Sequence, residues 1–247
     1  MAADEDSPEP LPKRGDRFAT THWSMVVSAG RSRSPEADRS LATLCENYWF
    51  PLYAFVRRAG HSAEDAQDLT QEFFARVLAQ GILTKADREK GKFRSFLLAT
   101  LKHFLAGEWD RARAQKRGGG RVIFSFDSLS AESRYHLEPA TDLTPERMFE
   151  KQWALSLLDR VLSRLDAEMA ADGKSVLFAA LKETLTGGRS ITYAAIGAEL
   201  GMTEGAVKVA AHRMRRRYRT LLREEIAQTV DGPDEIGDEI HYLLSCL

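Results

Sequence analysis

The stretch MTEGAVKVAAHRMRRRYRTLL, residues 202–222, crowds Lys208, Arg213, Arg215, Arg216, Arg217 and Arg219 onto one segment. Cations at that density neutralise a polyanion, and release of its counterions drives the binding. A second segment, REKGKFRSFLLATLKHFLAGEWDRARAQKR, interleaves Phe93, Phe96, Phe104 and Trp109 with Lys92, Arg94, Lys102, Arg111, Arg113, Lys116 and Arg117, and holds His103 as well. Bases stack on rings while cations follow phosphates, so this mixture suits single-stranded nucleic acid. The same rings would equally serve a core helix. A third pattern is acidic. Asp65, Asp68 and Glu72 recur at i, i+3 and i+7 beside Leu69, Phe73 and Val77, a spacing that lines one helix face. It is either a solvated face or a partner surface. Phe74 beside Phe73 favours the partner, because two adjacent rings do not easily both face inward.

Charge by segment sharpens this. The whole chain carries a formal net charge of −1. Residues 81–121 are nevertheless net +7 and residues 190–224 net +4, while residues 225–247 hold no Lys or Arg and are net −6. Two basic islands separated by acidic stretches are the pattern of two footprints on nucleic acid.

Catalytic constellations are missing. DGKS at 172–175 has Glu168 where a phosphate loop needs its first glycine, and HLE at 136–138 is followed by no paired cysteines. The histidines share no ligand spacing. The chain is therefore read as a non-enzyme with no metal and no cofactor. Cys45 and Cys246 form no CxxC pair, as in a reducing cytosol. The N-terminal MAADEDSPEPLPKRGD lacks the apolar core of a signal peptide, and no run approaches the roughly 18 apolar residues of a membrane span. The expectation is a cytoplasmic protein.

The elements that position these residues read as helices almost throughout, because apolar residues recur at three and four. Residues 1–16 read as a disordered tail, and a short helix carrying Trp23, Val26 and Val27 follows. A helix starts at Pro35, with Pro51 kinking or restarting it before Gly60. Ser62 caps a helix that Gly81 ends, and a long helix spans about Phe93 to Gln115. Residues 118–144 show no sustained period and read as a linker. Thr144-Pro145 opens a helix running to about Asp172-Gly173, and SVLFAALKETLTG makes another. TYAAIGAEL is then a short helix, Gly201 a tight turn, and Thr203 the cap of the basic helix. On that helix Val207, Ala211, Met214 and Tyr218 make one inward stripe, while Lys208, His212, Arg215 and Arg219 project beside it. This is the pattern of a helix-turn-helix; an ordinary helical hairpin with a solvated charged face is the plainer alternative. The expected fold is all-α: two small helical domains, at 17–117 and 145–225, joined by a flexible linker. VDGPDEIGDEIHYLLSCL within 226–247 reads as a helix with Ile236, Ile240, Leu243 and Leu244 inward, either packing on the second domain or lying over basic surface.

In this order the parts resemble the sigma-70 family of RNA polymerase initiation factors, specifically its extracytoplasmic-function (ECF) type. HSAEDAQDLTQEFFARVLAQ resembles the family's segment that docks on core polymerase. KGKFRSFLLATLKHFLAGEWDRARAQKR resembles the segment that melts and reads the −10 element, and SITYAAIGAELGMTEGAVKVAAHRMRRRYRTLL the segment that reads the −35 element. The resemblance implies that Asp65, Asp68, Leu69, Gln71, Glu72, Phe73 and Phe74 meet core RNA polymerase. It implies that Lys92, Arg94, Lys102, His103, Trp109, Arg111, Arg113, Lys116 and Arg117 act on melted promoter DNA. It further implies that Thr203, Glu204, Gly205, Lys208, His212, Arg213, Arg215 and Arg216 face the −35 duplex, and it allows an anti-sigma factor as a further partner. One departure stands out: Val209 and Ala210 occupy places where the family commonly has Ser-Arg, so an arginine able to pair with guanine is absent there. A helix-turn-helix regulator that never joins polymerase is the alternative; it would need neither the acidic stripe nor the aromatic-basic helix.

Overall fold

The computed structural model describes residues 35–86, 91–114, 128–136, 143–186, 192–230 and 232–247. The expected tail at 1–16 and the helix around Trp23 lie outside them. Among the described residues all regular structure is helical, and no helix is long and apolar enough to cross a membrane.

Helix α1, Pro35–Arg58, is the axis of the molecule. Its side chains from Asn47 to Val56 are buried on every side, the signature of a helix with neighbours all round. Pro51 lies inside it and does not restart it. Burial of Tyr48, Leu52, Tyr53 and Phe55 around the proline offsets the backbone hydrogen bond that proline forfeits, a loss of about 3 kcal/mol. Helix α2, Ala63–Ala79, starts on the Ser62 hydroxyl, which accepts from the Asp65 N–H at 3.1 Å, and gives way at Gly81, whose φ of +58° suits glycine. A short 3-10 turn, Ile82–Lys85, follows, then α3, Phe93–Ala114.

The aperiodic stretch after α3 is not structureless throughout. It holds α4, Ser128–His136, fastened to α1 by polar contacts. Glu132 accepts from Arg57 at 2.8 and 3.1 Å and from the Tyr53 hydroxyl, and Arg134 lies over the Phe50 ring at 4.1 Å. Nine residues with Ala131 buried give too little apolar period to read from sequence.

Helix α5, Pro145–Ala171, begins on Thr144 with Pro145 at its first position and packs along α1. SVLFAALKETLT breaks at Lys182 into α6, Ser175–Leu181, and α7, Glu183–Thr186. Helices α8, Tyr193–Leu200, and α9, Glu204–Ala227, follow, then α10, Glu235–Ser245. One buried apolar cluster includes Leu44 and Tyr48 of α1, Phe73 of α2, Leu101 of α3, Trp153 and Leu157 of α5, Val207 and Leu221 of α9 and Leu243 of α10. The sequence expectation of two small domains meets a structure whose described helices share this core.

Candidate nucleic-acid and partner interfaces

The α8–α9 pair is built for a fixed angle. Thr192 caps α8 by accepting from the Ala195 N–H at 3.2 Å, and Thr203 caps α9 by accepting from the Ala206 N–H at 3.2 Å. Gly201 between them has φ +65°. Gly197, whose role the sequence reading passed over, is the tighter constraint. A Cβ there would stand 2.6 Å from the backbone oxygen of Met202, so only glycine lets the turn fold back against α8. Ile196, Val207, Ala211, Met214 and Leu221 are buried beneath, and Tyr218 is half-buried.

The cations of α9 divide by where they point. Arg215 turns inward, donating to the Tyr193 hydroxyl at 2.7 Å and to the Thr184 carbonyl at 3.4 Å. Arg217 grips Glu168 of α5 with two hydrogen bonds at 2.7 and 2.8 Å; this guanidinium holds the Glu168 carboxyl below the usual carboxylate range. Lys208 pairs with Glu204 at 2.7 Å on the surface. His212, Arg213, Arg216, Arg219 and Arg223 are exposed, and the four arginines make no ion pair among the described residues. Thr203 is spent on its cap, and Gly205 is exposed in the first turn. Val209, which stands where the resemblance expects a serine, is 51% exposed on the same side as Gly205 and His212.

The aromatic-basic segment behaves differently. Phe93 and Phe104 are core residues and Phe96 packs against the core. Among its rings only Trp109 is well exposed, at 60%. Arg94 is buried: Nε donates to Glu150 at 2.8 Å, one terminal nitrogen donates to Glu239, and the guanidinium lies 4.4 Å over the Trp153 ring. Lys92 donates to the same Glu239 carboxylate. Lys102 pairs with Glu146 of α5 at 2.6 Å, and His103 is exposed. Arg111 and Arg113 lie on the last turn of α3 with side chains outside the described residues, as are Lys116 and Arg117 entirely.

On α2, Asp65, Asp68 and Glu72 are exposed, and Leu69 and Gln71 half-exposed. Phe73 and Phe74 are both buried, 5.7 Å apart ring to ring, which corrects the expectation that two adjacent rings do not easily both face inward. Helix α2 is flanked by α1 on one side and α3 on the other, so its apolar arc is wide enough for adjacent positions. Phe73 meets Phe104 of α3. Arg76 closes the acidic face, bonding Glu72 at 3.2 Å and Glu108 of α3 at 2.9 Å.

The acidic C-terminal helix both packs inward and reaches basic side chains. Ile236 and Leu243 pack inward, with Ile240 half-buried, but Leu244 is 57% exposed. Glu239 takes the place in the buried stripe that Leu244 was expected to share.

The chain is similar to the ECF RNA polymerase sigma factor SigE of Mycolicibacterium smegmatis (strain ATCC 700084 / mc(2)155). The two are 26% identical over 218 residues, which make up 88% of this chain and 68% of that protein. No family model matches the chain. No solved structure matches it.

Proposed function

We propose that this chain is an ECF-type sigma factor: a non-enzymatic subunit that binds core RNA polymerase, directs it to promoters and helps open the −10 region. The observation that carries the reading is the similarity to an ECF sigma factor over 88% of the chain. The chemistry on each surface agrees with it. Asp65, Asp68, Leu69, Gln71 and Glu72 offer an acidic, partly apolar docking face on α2, with Phe73 and Phe74 stiffening it from behind. His212, Arg213, Arg216 and Arg219 on α9 are free to meet duplex phosphates and base edges. Val209 among them offers an apolar contact to a thymine methyl group in place of an arginine–guanine pair. Trp109 offers a stacking surface for an unpaired base. In this reading the helices up to α3 serve polymerase and the −10 strand and those from α5 serve the −35 duplex, with one core joining them.

Run-off transcription with purified core polymerase and a random promoter pool tests the reading. The expected result is initiation at a small set of related sequences that depends on this chain. Asp68→Lys combined with Glu72→Lys should end co-purification with core polymerase. Duplex binding without any polymerase binding by the unaltered protein would instead favour a helix-turn-helix regulator that works alone.

A further inference from the structure

We propose that α10 is a built-in competitor for nucleic acid: the Glu239 carboxylate occupies, as a backbone phosphate would, the cationic site that Lys92 and Arg94 form at the head of α3. The inference rests on reading α3 as a nucleic-acid-facing helix.

Glu239 divides its two oxygens between two cations, one bonding Arg94 and the other Lys92, across 145 and 147 residues of chain. A phosphodiester presents its two free oxygens to cations in the same way. The site has the other attributes of an anion site. Lys92 immediately precedes the first residue of α3, and the first turn of that 22-residue helix carries no acid of its own. The positive end of the helix dipole favours a negative charge there. Tyr242, one turn beyond Glu239, lies 5.5 Å from the Lys92 ammonium and 5.4 Å from the Arg94 guanidinium. An aromatic ring beside paired cations is what a stacked base would supply. Lys92 is 37% exposed at the outer edge, so the site has an entrance.

A permanent structural pin would be built otherwise. Glu239 stands in the apolar stripe between Ile236 and Leu243, where an aliphatic side chain would pack at lower cost than a desolvated carboxylate. Charges withdrawn from water recover their hydration on separation, so an ionic clasp opens more readily than an apolar one of equal area. The segment 225–247 carries net −6, and the island to which Lys92 and Arg94 belong net +7. In the clasped form both cations are engaged; displacement of α10 frees Lys92 and the terminal nitrogen of Arg94, whose Nε stays with Glu150.

The test uses the full chain and a fluorescently labelled oligothymidine. Glu239→Gln keeps the shape of the side chain and removes its charge, while Asp238→Asn makes the same change in net charge at an exposed neighbour. The expected result is that Glu239→Gln tightens binding about tenfold, because the competent form is no longer a minor population. Its salt dependence should steepen by about 1.4 in the log–log slope, as two further cations reach phosphate on a single strand, and Asp238→Asn should do neither. Hydrogen exchange should quicken over 235–245 in Glu239→Gln alone. Should Glu239→Gln fold poorly, Tyr242→Ala, which loosens the same clasp from a 43% exposed position, should tighten binding about threefold. Equal binding by the unaltered protein and Glu239→Gln, or equal tightening by Asp238→Asn, overturns the competitor role and leaves the reading of α3 standing. Absence of oligothymidine binding by every form overturns both.

Discussion

The two basic islands look alike as sequence and are opposites as structure. On α3 and at its head, Lys92, Arg94 and Lys102 are each tied to a carboxylate of α5 or α10. On α9, Arg213, Arg216, Arg219 and Arg223 face solvent without an ion pair among the described residues, while Arg215 and Arg217 alone turn to the body. Helix α9 presents its outward side to solvent, so its cations stay available. Helix α3 has α5 and α10 within reach of its head, and those helices bring Glu146, Glu150 and Glu239. Cation density thus marks where an anion will be bound; the neighbouring helices determine whose anion it is.

Breaking the comparison at its most buried point should have the largest effect. Arg94→Ala leaves Glu150 and Glu239 facing each other out of water, and the expected loss of folding stability is about 3–5 kcal/mol, read by urea denaturation. A midpoint unchanged from the unaltered protein would show that the α3 cations are no more committed than those of α9. Gly197→Ala comes next. Its Cβ meets the Met202 carbonyl, so about 1–3 kcal/mol should be lost and duplex binding with it, because the angle between α8 and α9 can no longer be held.

Arg213→Ala with Arg216→Ala should behave in the reverse manner to Arg94→Ala. The denaturation midpoint should stay where it is, while the log–log salt slope of duplex binding should shrink by about 2. A stability loss with an unchanged slope would place these arginines in the scaffold. The smallest effect is expected from acid. The Arg57 guanidinium, with the Tyr53 hydroxyl, holds the Glu132 carboxyl below its usual value of 4.5, and Arg217 does the same for Glu168. Carboxyls depressed in the folded state lend stability that is whole above that usual value and drains away as pH falls through the lower, folded one. Thermal midpoints should therefore be steady near neutrality and decline below pH 4.5. Glu132→Gln should make that decline shallower; an identical decline would show that α4 is not held to α1 by this charge.

Much of the scaffold was legible because it obeys local rules. Ser62, Thr144 and Thr203 cap the helices they were expected to cap, Gly81 and Gly201 adopt left-handed conformations, and Val207, Ala211 and Met214 are buried at helical spacing. Each depends on residues within one or two turns of chain. Less was legible wherever a distant element intervened. Pro51 suggested a kink or a restart, and the helix continues through it without restarting, packed on every side. Phe73 and Phe74 suggested a surface ring until α1 and α3 closed on both sides of α2. The nine residues of α4 had too little apolar pattern to betray a helix held by Glu132 and Arg134.

By itself, then, the sequence determined an all-α chain, its principal helices with their caps and turns, and the two concentrations of positive charge that frame its resemblance to ECF sigma factors. Helical period, capping and net charge are properties of neighbouring residues, so no fold is needed to read them. Only the tertiary structure decided which cations remain available. The pairing of Arg94 with Glu239 spans 145 residues. It exists because α5 and α10 converge on the head of α3, and no local pattern in either segment encodes that meeting.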